Sequence, residues 1–212
     1  MVILSNEISF PKLESAESSG LLAIGGDLSM ERLKLAYRSG IFPWYSEGEP
    51  ILWYSPDPRM VLFPDELKIA KSMRQIIRSN RFRVTFNQAF EEVILNCKNI
   101  DRNNQGQDGT WITNEMIDSY VKLHKEGIAK SVEVWDGDEL VGGLYGVEVG
   151  SVFCGESMFS KVSNASKVAL VSLVQNNQNA YNLIDCQVYN DHLASLGARE
   201  IPREDFLYYL QF

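Results

Sequence analysis

Lys130–Met158 reads KSVEVWDGDELVGGLYGVEVGSVFCGESM, and its alternation decides the fold. Apolar and polar residues take turns over residues 130–135, again over 139–147, and again over 151–158. Asp136-Gly137-Asp138 and Gly150 supply the two turns between them. Period-two patterning broken by short Gly/Asp turns predicts a three-stranded antiparallel meander. Working outward, residues 164–177 carry a helical pattern and Leu183 opens a short apolar strand. A helix is expected around residues 191–196, and a last strand or helix near Phe206. On the other side, residues 82–86 (FRVTF) read as a strand and 89–97 as a helix. A helix capped by Thr113 runs from Asn114 to just before Gly127. Strands followed by helix, strand and helix is α+β order, with a mixed sheet flanked by helices.

Residues 1–64 differ in texture, being dense in Gly, Pro and aromatic residues. Gly20–Asp27 (GLLAIGGD) reads as a turn-rich lead into a helix that Ser29 caps and Gly40 stops. Ile41–Pro64 holds Trp44, Tyr45, Trp53 and Tyr54 among Pro43, Pro50, Pro56 and Pro58. Prolines fix the backbone and limit helix, so rigid loops and short strands must place those rings. Most belong to a small core; one or two on loops could stack on a base. Two units are therefore expected: a smaller N-terminal α/β domain, 1–64, and a larger one, 65–212.

The whole chain is ordinary globular in composition, 212 residues with 45% hydrophobic and 23% charged. Its net charge of −8 does not advertise nucleic-acid binding. The exception is local. Lys68, Lys71, Arg74, Arg78, Arg81 and Arg83 fall within a run, 68–83, that contains no acid, while Ile69, Met73, Ile76 and Ile77 keep helical spacing. An amphipathic helix with a cationic stripe is expected there. A solvated face is the commoner meaning of such a run, but a polyanion would relieve the repulsion among six like charges. Cys97, Cys154 and Cys186 are odd in number, far apart and flanked by apolar residues, which predicts reduced core thiols in a cytosolic protein. The start, MVILSNEISF, has no signal-peptide pattern, and the apolar run 168–174 is too short to cross a bilayer. No membrane association is expected.

The stretch Asn182–His192 (NLIDCQVYNDH) carries the most chemistry. If residues 183–188 form a strand, Asp185 and Gln187 share a face and Cys186 takes the other. A carboxylate beside an amide is costly to bury without partners and suits a site that orients and deprotonates an amine. An edge strand with one solvated face is the commoner explanation of the pattern alone. His124 and His192 lack a paired nucleophile and read as structural.

The element order resembles the GNAT-type acyltransferase fold, in which a helix after the meander cradles the pyrophosphate of the acyl donor. A Gly-rich turn at that helix start holds phosphate in such folds. Here the segment is GESMFSKVSNASKVAL, without alternating glycines, which argues against coenzyme A. More specifically, eight stretches together resemble the leucyl/phenylalanyl-tRNA–protein transferase family. They are GLLAIGGDLS (20–29), GIFPWYSEGEPILWYSPDPR (40–59), GTWIT (109–113), ELVGGLYGV (139–147), FCGESMFS (153–160), NASK (164–167), LIDCQV (183–188) and SLGAREIPR (195–203).

The resemblance implies a bacterial cytoplasmic enzyme of the N-degron pathway, active as a monomer without metal or organic cofactor. It would move Leu, Phe or, less well, Met from charged tRNA to proteins that begin with Arg or Lys. Residue by residue, it implies that Gln187 contacts the attacking amine and that Asp185 polarises or relays its proton. Glu156, with Asp185, would offer negative charge to the acceptor's basic residue. Leu144, Gly155, Met158, Leu170 and Leu173 would line the donor side-chain slot, with Leu144 and Leu173 standing where Met and Phe are expected. Trp44 and Trp111 would flank the terminal adenosine, Asn190 would bond near the reacting end, and the 68–83 stripe would meet the acceptor stem. Departures from the pattern are a longer loop at 103–107 and an end at Phe212, where members often carry a further tail. Two rivals are an acyl-CoA-dependent N-acyltransferase of the same fold and a non-catalytic tRNA-binding module.

Overall fold

The computed structural model describes residues 2–100, 111–176 and 181–211. The loop expected at 99–109 lies, apart from its first two residues, outside the described residues, as do Gly109 and Thr110 of the GTWIT stretch. The N-terminal part holds β1 (Val2–Leu4), β2 (Leu21–Gly25), α1 (Met30–Arg38), β3 (Phe42–Pro43) and β4 (Leu52–Tyr54). Its four strands form one sheet in the order β1-β2-β4-β3. Residues 21–25, expected as a turn-rich lead, are thus a strand: the glycines only bracket it, with Gly20 and Gly25 at φ 86° and 84°, while Leu22 and Ala23 are fully buried. Ser29 caps α1 by accepting the Arg32 N–H, and Gly40 at φ 72° turns the chain away after it.

Then follow β5 (Arg59–Leu62), α2 (Lys71–Arg78), β6 (Arg83–Phe86), α3 (Phe90–Asn99) and α4 (Asn114–Lys125). The meander is β7 (Ala129–Asp136), β8 (Glu139–Val149) and β9 (Val152–Ser160). The chain closes with α5 (Ala165–Asn176), β10 (Leu183–Gln187), α6 (Asp191–Ser195), β11 (Arg199–Ile201) and α7 (Arg203–Tyr209). A seven-stranded sheet results, in the order β11-β5-β10-β9-β8-β7-β6. Its pairs are antiparallel except β10 with β9, which run parallel because α5 carries the chain back between them. The chain is mixed α/β, consistent with the α+β order expected. The segment near Phe206 is a helix, with Phe206 fully buried.

Two apolar clusters hold the sheet. One joins α1, α3 and α4 to one face of the meander through residues such as Leu33, Val93 and Tyr120; the other joins α5 to the opposite face through Val168, Leu170 and Leu173. Close approach of α5 depends on Gly142: a Cβ there would stand 2.5 Å from that of Ala165. Glycine inside a strand has a packing reason here.

The cationic segment departs from its pattern. Only Lys71, Arg74 and Arg78 lie on α2. Lys68 precedes the helix and its N–H donates to the Leu196 carbonyl, which keeps the chain extended there. Asn80 at φ 53° ends the helix, Arg81 follows in the turn, and Arg83 is on β6. The expected six-residue helical stripe is therefore three helical cations flanked by three others. One of these, Arg81, is paired with Asp136 at 2.9 Å.

Candidate functional site

β10 lies between β5 and β9, so Asp185 sits inside the sheet and not on a solvated edge. It is fully buried. Arg59 reaches across from β5 and binds it through both carboxylate oxygens: Nε to Oδ1 at 2.8 Å and Nη2 to Oδ2 at 2.7 Å. Nη1 of Arg59 donates to the Gly40 carbonyl at 3.2 Å. The guanidinium carbon also lies 4.8 Å from the Phe42 ring centroid and 4.6 Å from that of Phe206. Such a fork matches a carboxylate and tolerates aromatic faces better than an ammonium does. Burial pulls the Arg59 pKa down, but the Asp185 charge and hydrogen bonds outweigh it and hold the guanidinium above its ordinary value.

The alternation expected along β10 fails at its end. The register slips between Asp185 and Gln187, and Gln187 adopts φ 65°. The Val188 N–H donates to the Cys186 carbonyl at 2.9 Å, closing a three-residue γ-turn around Gln187. A non-glycine residue in that region costs on the order of 1–3 kcal/mol and persists only where neighbours hold it. Asp185 is one such neighbour, since its Oδ1 accepts the Gln187 backbone N–H at 2.9 Å. Gln187 Nε2 then donates to Glu156 Oε1 at 2.8 Å. Because of this turn, Cys186 does not face away: Asp185, Cys186 and Gln187 all line one hollow. Cys186 is accordingly half-buried and not a core thiol, unlike Cys97 and Cys154.

The hollow has a volume of about 530 Å³. Glu156 and Gln187 open into it together. Trp44 and Trp111 line it, Trp44 standing beside Tyr54 with ring centroids 5.7 Å apart. Leu144, Gly155, Met158 and Leu170 line it as well, joined by Phe153 and Ile184. Leu173, expected with them, is buried in the core with α5 and does not line the hollow. On an α-helix Leu170 and Leu173 are neighbours but not superposed, and only Leu170 is turned far enough. Asn190 is at the hollow, but its side-chain oxygen is spent on capping α6 by accepting the Leu193 N–H at 3.1 Å. The six cations of 68–83 are not among the lining residues.

Glu156 is the electrostatic centre of the hollow. Its second oxygen, Oε2, accepts from the Tyr120 hydroxyl at 3.1 Å, and Tyr120 is in turn hydrogen-bonded to Tyr37. Burial pushes the Glu156 carboxyl up to about 7. Bonds from Tyr37 and Tyr120 pull it back, the Asp185 charge raises it, and the Gln187 amide lowers it. Burial likewise drives the Tyr37 and Tyr120 hydroxyls well above their ordinary values. A carboxyl that burial raises toward neutrality in a cleft is a candidate functional group. His192 also lines the hollow, with its pKa lowered by burial and then by Lys167. His124 is half-buried away from the hollow, stacked on Phe90 and bonded to the Ala129 carbonyl.

Arg59, Tyr37 and Tyr120 are the site residues that the pattern of the sequence did not single out. Arg59 stood inside a matching stretch, but nothing in the spacing linked it to a carboxylate 126 residues away.

Comparison with known proteins adds two family matches. The model described as leucyl/phenylalanyl-tRNA protein transferase covers residues 61–211, and that of its N-terminal domain covers 26–57. A leucyl/phenylalanyl-tRNA–protein transferase of Flavobacterium johnsoniae is 62% identical over 208 residues, spanning 98% of this chain and 97% of that one. Another, from Flavobacterium psychrophilum, is 62% identical over 212 residues and covers both chains fully. The solved structure of a conserved protein of unknown function from Bacteroides thetaiotaomicron covers 89% of this chain and 64% of its own. Its identity is 11% and its TM-score 0.46, too weak a likeness to argue from.

Proposed function

The chain belongs to the leucyl/phenylalanyl-tRNA–protein transferase family, an aminoacyltransferase family, and on that premise we propose which substrates it joins and how. It moves Leu or Phe, and Met less well, from aminoacyl-tRNA to the α-amine of proteins that begin with Arg or Lys. That transfer marks them for degradation in the cytoplasm. The supporting observation is the hydrogen-bonded pair of Gln187 and Glu156, at 2.8 Å, within a hollow that Trp44 and Trp111 also line.

The amino acid arrives already activated as a ribose ester, so the reaction needs no further cofactor. The enzyme's task is to hold an amine against that ester, which at best supplies roughly 7–11 kcal/mol of the acceleration. Trp44 and Trp111 flank the terminal adenosine, and the Leu or Phe side chain enters the slot of Leu144, Gly155, Met158 and Leu170. Met158 suits a slot that admits both shapes, because its thioether is adaptable. Gln187 meets the amine, and Asp185 keeps Gln187 in its strained turn. Since Arg59 neutralises Asp185, the charge that attracts a basic N-terminus resides chiefly in Glu156. Asn190 sits near the reacting end, and Lys71, Arg74 and Arg78 meet the acceptor stem.

The finer fold is read as GNAT-like, supported by the meander, the return helix α5 and the parallel β10. Two units are likewise proposed, with the separate N-terminal sheet in support; because β5 pairs within the large sheet, the seam expected at 64 is placed just before Arg59. Among the described residues no helix is long and apolar enough to cross a membrane, and the protein is taken to act as a monomer.

The test is incubation with Leu-tRNA and an Arg-initiated peptide, without coenzyme A. Labelled Leu on the peptide supports the proposal. Transfer only from acetyl-coenzyme A, or RNA binding without transfer, overturns it.

A further inference from the structure

We propose that Glu156 is the group that takes the proton from the acceptor's α-ammonium, and that Tyr120 and Tyr37 are positioning residues that hold its carboxylate for that step. The inference rests on the transferase reading above. Four candidate acceptors line the hollow, and three fail on geometry or chemistry. Asp185 has both oxygens bound by Arg59 and one of them also by the Gln187 N–H; protonating it would break an ion pair in the interior. Gln187 can accept a hydrogen bond but an amide carbonyl does not keep a proton at neutral pH. Its Nε2 is committed to Glu156, which leaves its carbonyl oxygen for an N–H of the amine. His192 lies on α6, outside the hydrogen-bonded group of Gln187, Glu156 and Tyr120.

Glu156 remains, one bond from the amide that meets the amine. The tyrosine pair points one way: Tyr120 spends its proton on Glu156, so Tyr37 donates to the Tyr120 oxygen. The groups that face or act on Glu156 are Tyr37 from α1, Tyr120 from α4 and Asp185 and Gln187 from β10. Arg59 of β5 and Cys154 of β9 also act on it, and Tyr145 of β8 packs edge-on against Tyr120. The step balances. The ammonium gives one proton to Glu156, and the freed nitrogen attacks the ester carbon. A C–N bond forms and the carbon–ribose oxygen bond breaks. A second proton from nitrogen goes to the departing ribose oxygen. Glu156 then loses its proton to solvent before the next turnover.

The experiment is the pH dependence of kcat/KM, which reports the free reactants, for the whole enzyme with Leu-tRNA and an Arg-initiated peptide. The wild-type profile is expected to rise through a limb near 7. Tyr120→Phe, which keeps the ring but removes a donor to the carboxylate, moves that limb to higher pH, and Tyr37→Phe moves it in the same direction. The acceptor's own amine limb, near 7.7–8.0, stays put. Glu156→Gln removes the limb and lowers kcat/KM by about 10²–10⁴-fold, the usual reach of a general base. Limbs unmoved in both tyrosine variants, or a limb that disappears in His192→Gln instead, overturn the proposal. A wild-type enzyme that transfers no Leu at all overturns the transferase reading instead, so the two failures are separable.

Discussion

Replacing Arg59 by Met tests whether the buried ion pair is what holds the end of β10. The Arg59 and Asp185 side chains are 2% and 0% exposed and share two short bonds. Removing the guanidinium leaves a carboxylate in the interior, still accepting the Gln187 N–H but without its counter-charge. Breaking one side of such a pair costs about 3–5 kcal/mol. For a chain of this size, that lowers Tm by roughly 6–20 °C, at about 2–4 °C per kcal/mol. Asp185→Asn alone leaves Arg59 unpaired and is also destabilising. The double variant Arg59→Met with Asp185→Asn removes both charges and costs less than the two single changes added, with a coupling of roughly 2–3 kcal/mol. Chemical denaturation of the four proteins, with Leu transfer measured alongside, gives the cycle. A single-variant cost under about 1 kcal/mol, or strict additivity, would falsify the claim that this pair anchors the strand.

Three further outcomes are expected. Glu156 has a folded-state pKa of about 7, above its ordinary 4.5, so the folded protein binds its proton more tightly than the unfolded chain does. Its contribution is fully present below pH 4.5 and is lost as pH rises through 7, so Glu156→Gln should stabilise the protein at pH 8 by on the order of 3 kcal/mol and by little at pH 4.5; equal denaturation midpoints at pH 8 would contradict this. Arg74→Glu with Arg78→Glu should weaken tRNA binding, most at low salt, while Arg81→Ala, whose charge already faces Asp136, should weaken it less; filter binding at several ionic strengths decides, and binding that ignores the double reversal removes α2 from the RNA surface. Trp44→Ala should cost about 1–3 kcal/mol of binding, the usual worth of one stacked base, and appear as a raised KM for Leu-tRNA with little change for the peptide; a peptide KM that rises equally would place Trp44 elsewhere.

The sequence by itself determined the meander, the helix after it, and the capped helices α1 and α4 before it, because those follow from local periodicity and from residues such as Ser29 and Thr113 that act within one turn. It also marked Asp185, Glu156 and Gln187 through the family motifs. It could not reveal β11, nor the strand hidden in Leu21–Gly25, since three to five residues carry too little periodicity against flanking glycines. Nor could it show that the cationic run breaks at Lys68 and Asn80, where a tertiary bond to Leu196 and a left-handed residue override helical spacing. The site itself was decided by tertiary structure. Which carboxylate is neutralised and which is left poised depends on Arg59 reaching Asp185 across the sheet and on two tyrosines from α1 and α4 reaching Glu156. Those partners are joined only by the folding of the sheet and helices, which brings residues far apart in the chain onto the two carboxylates.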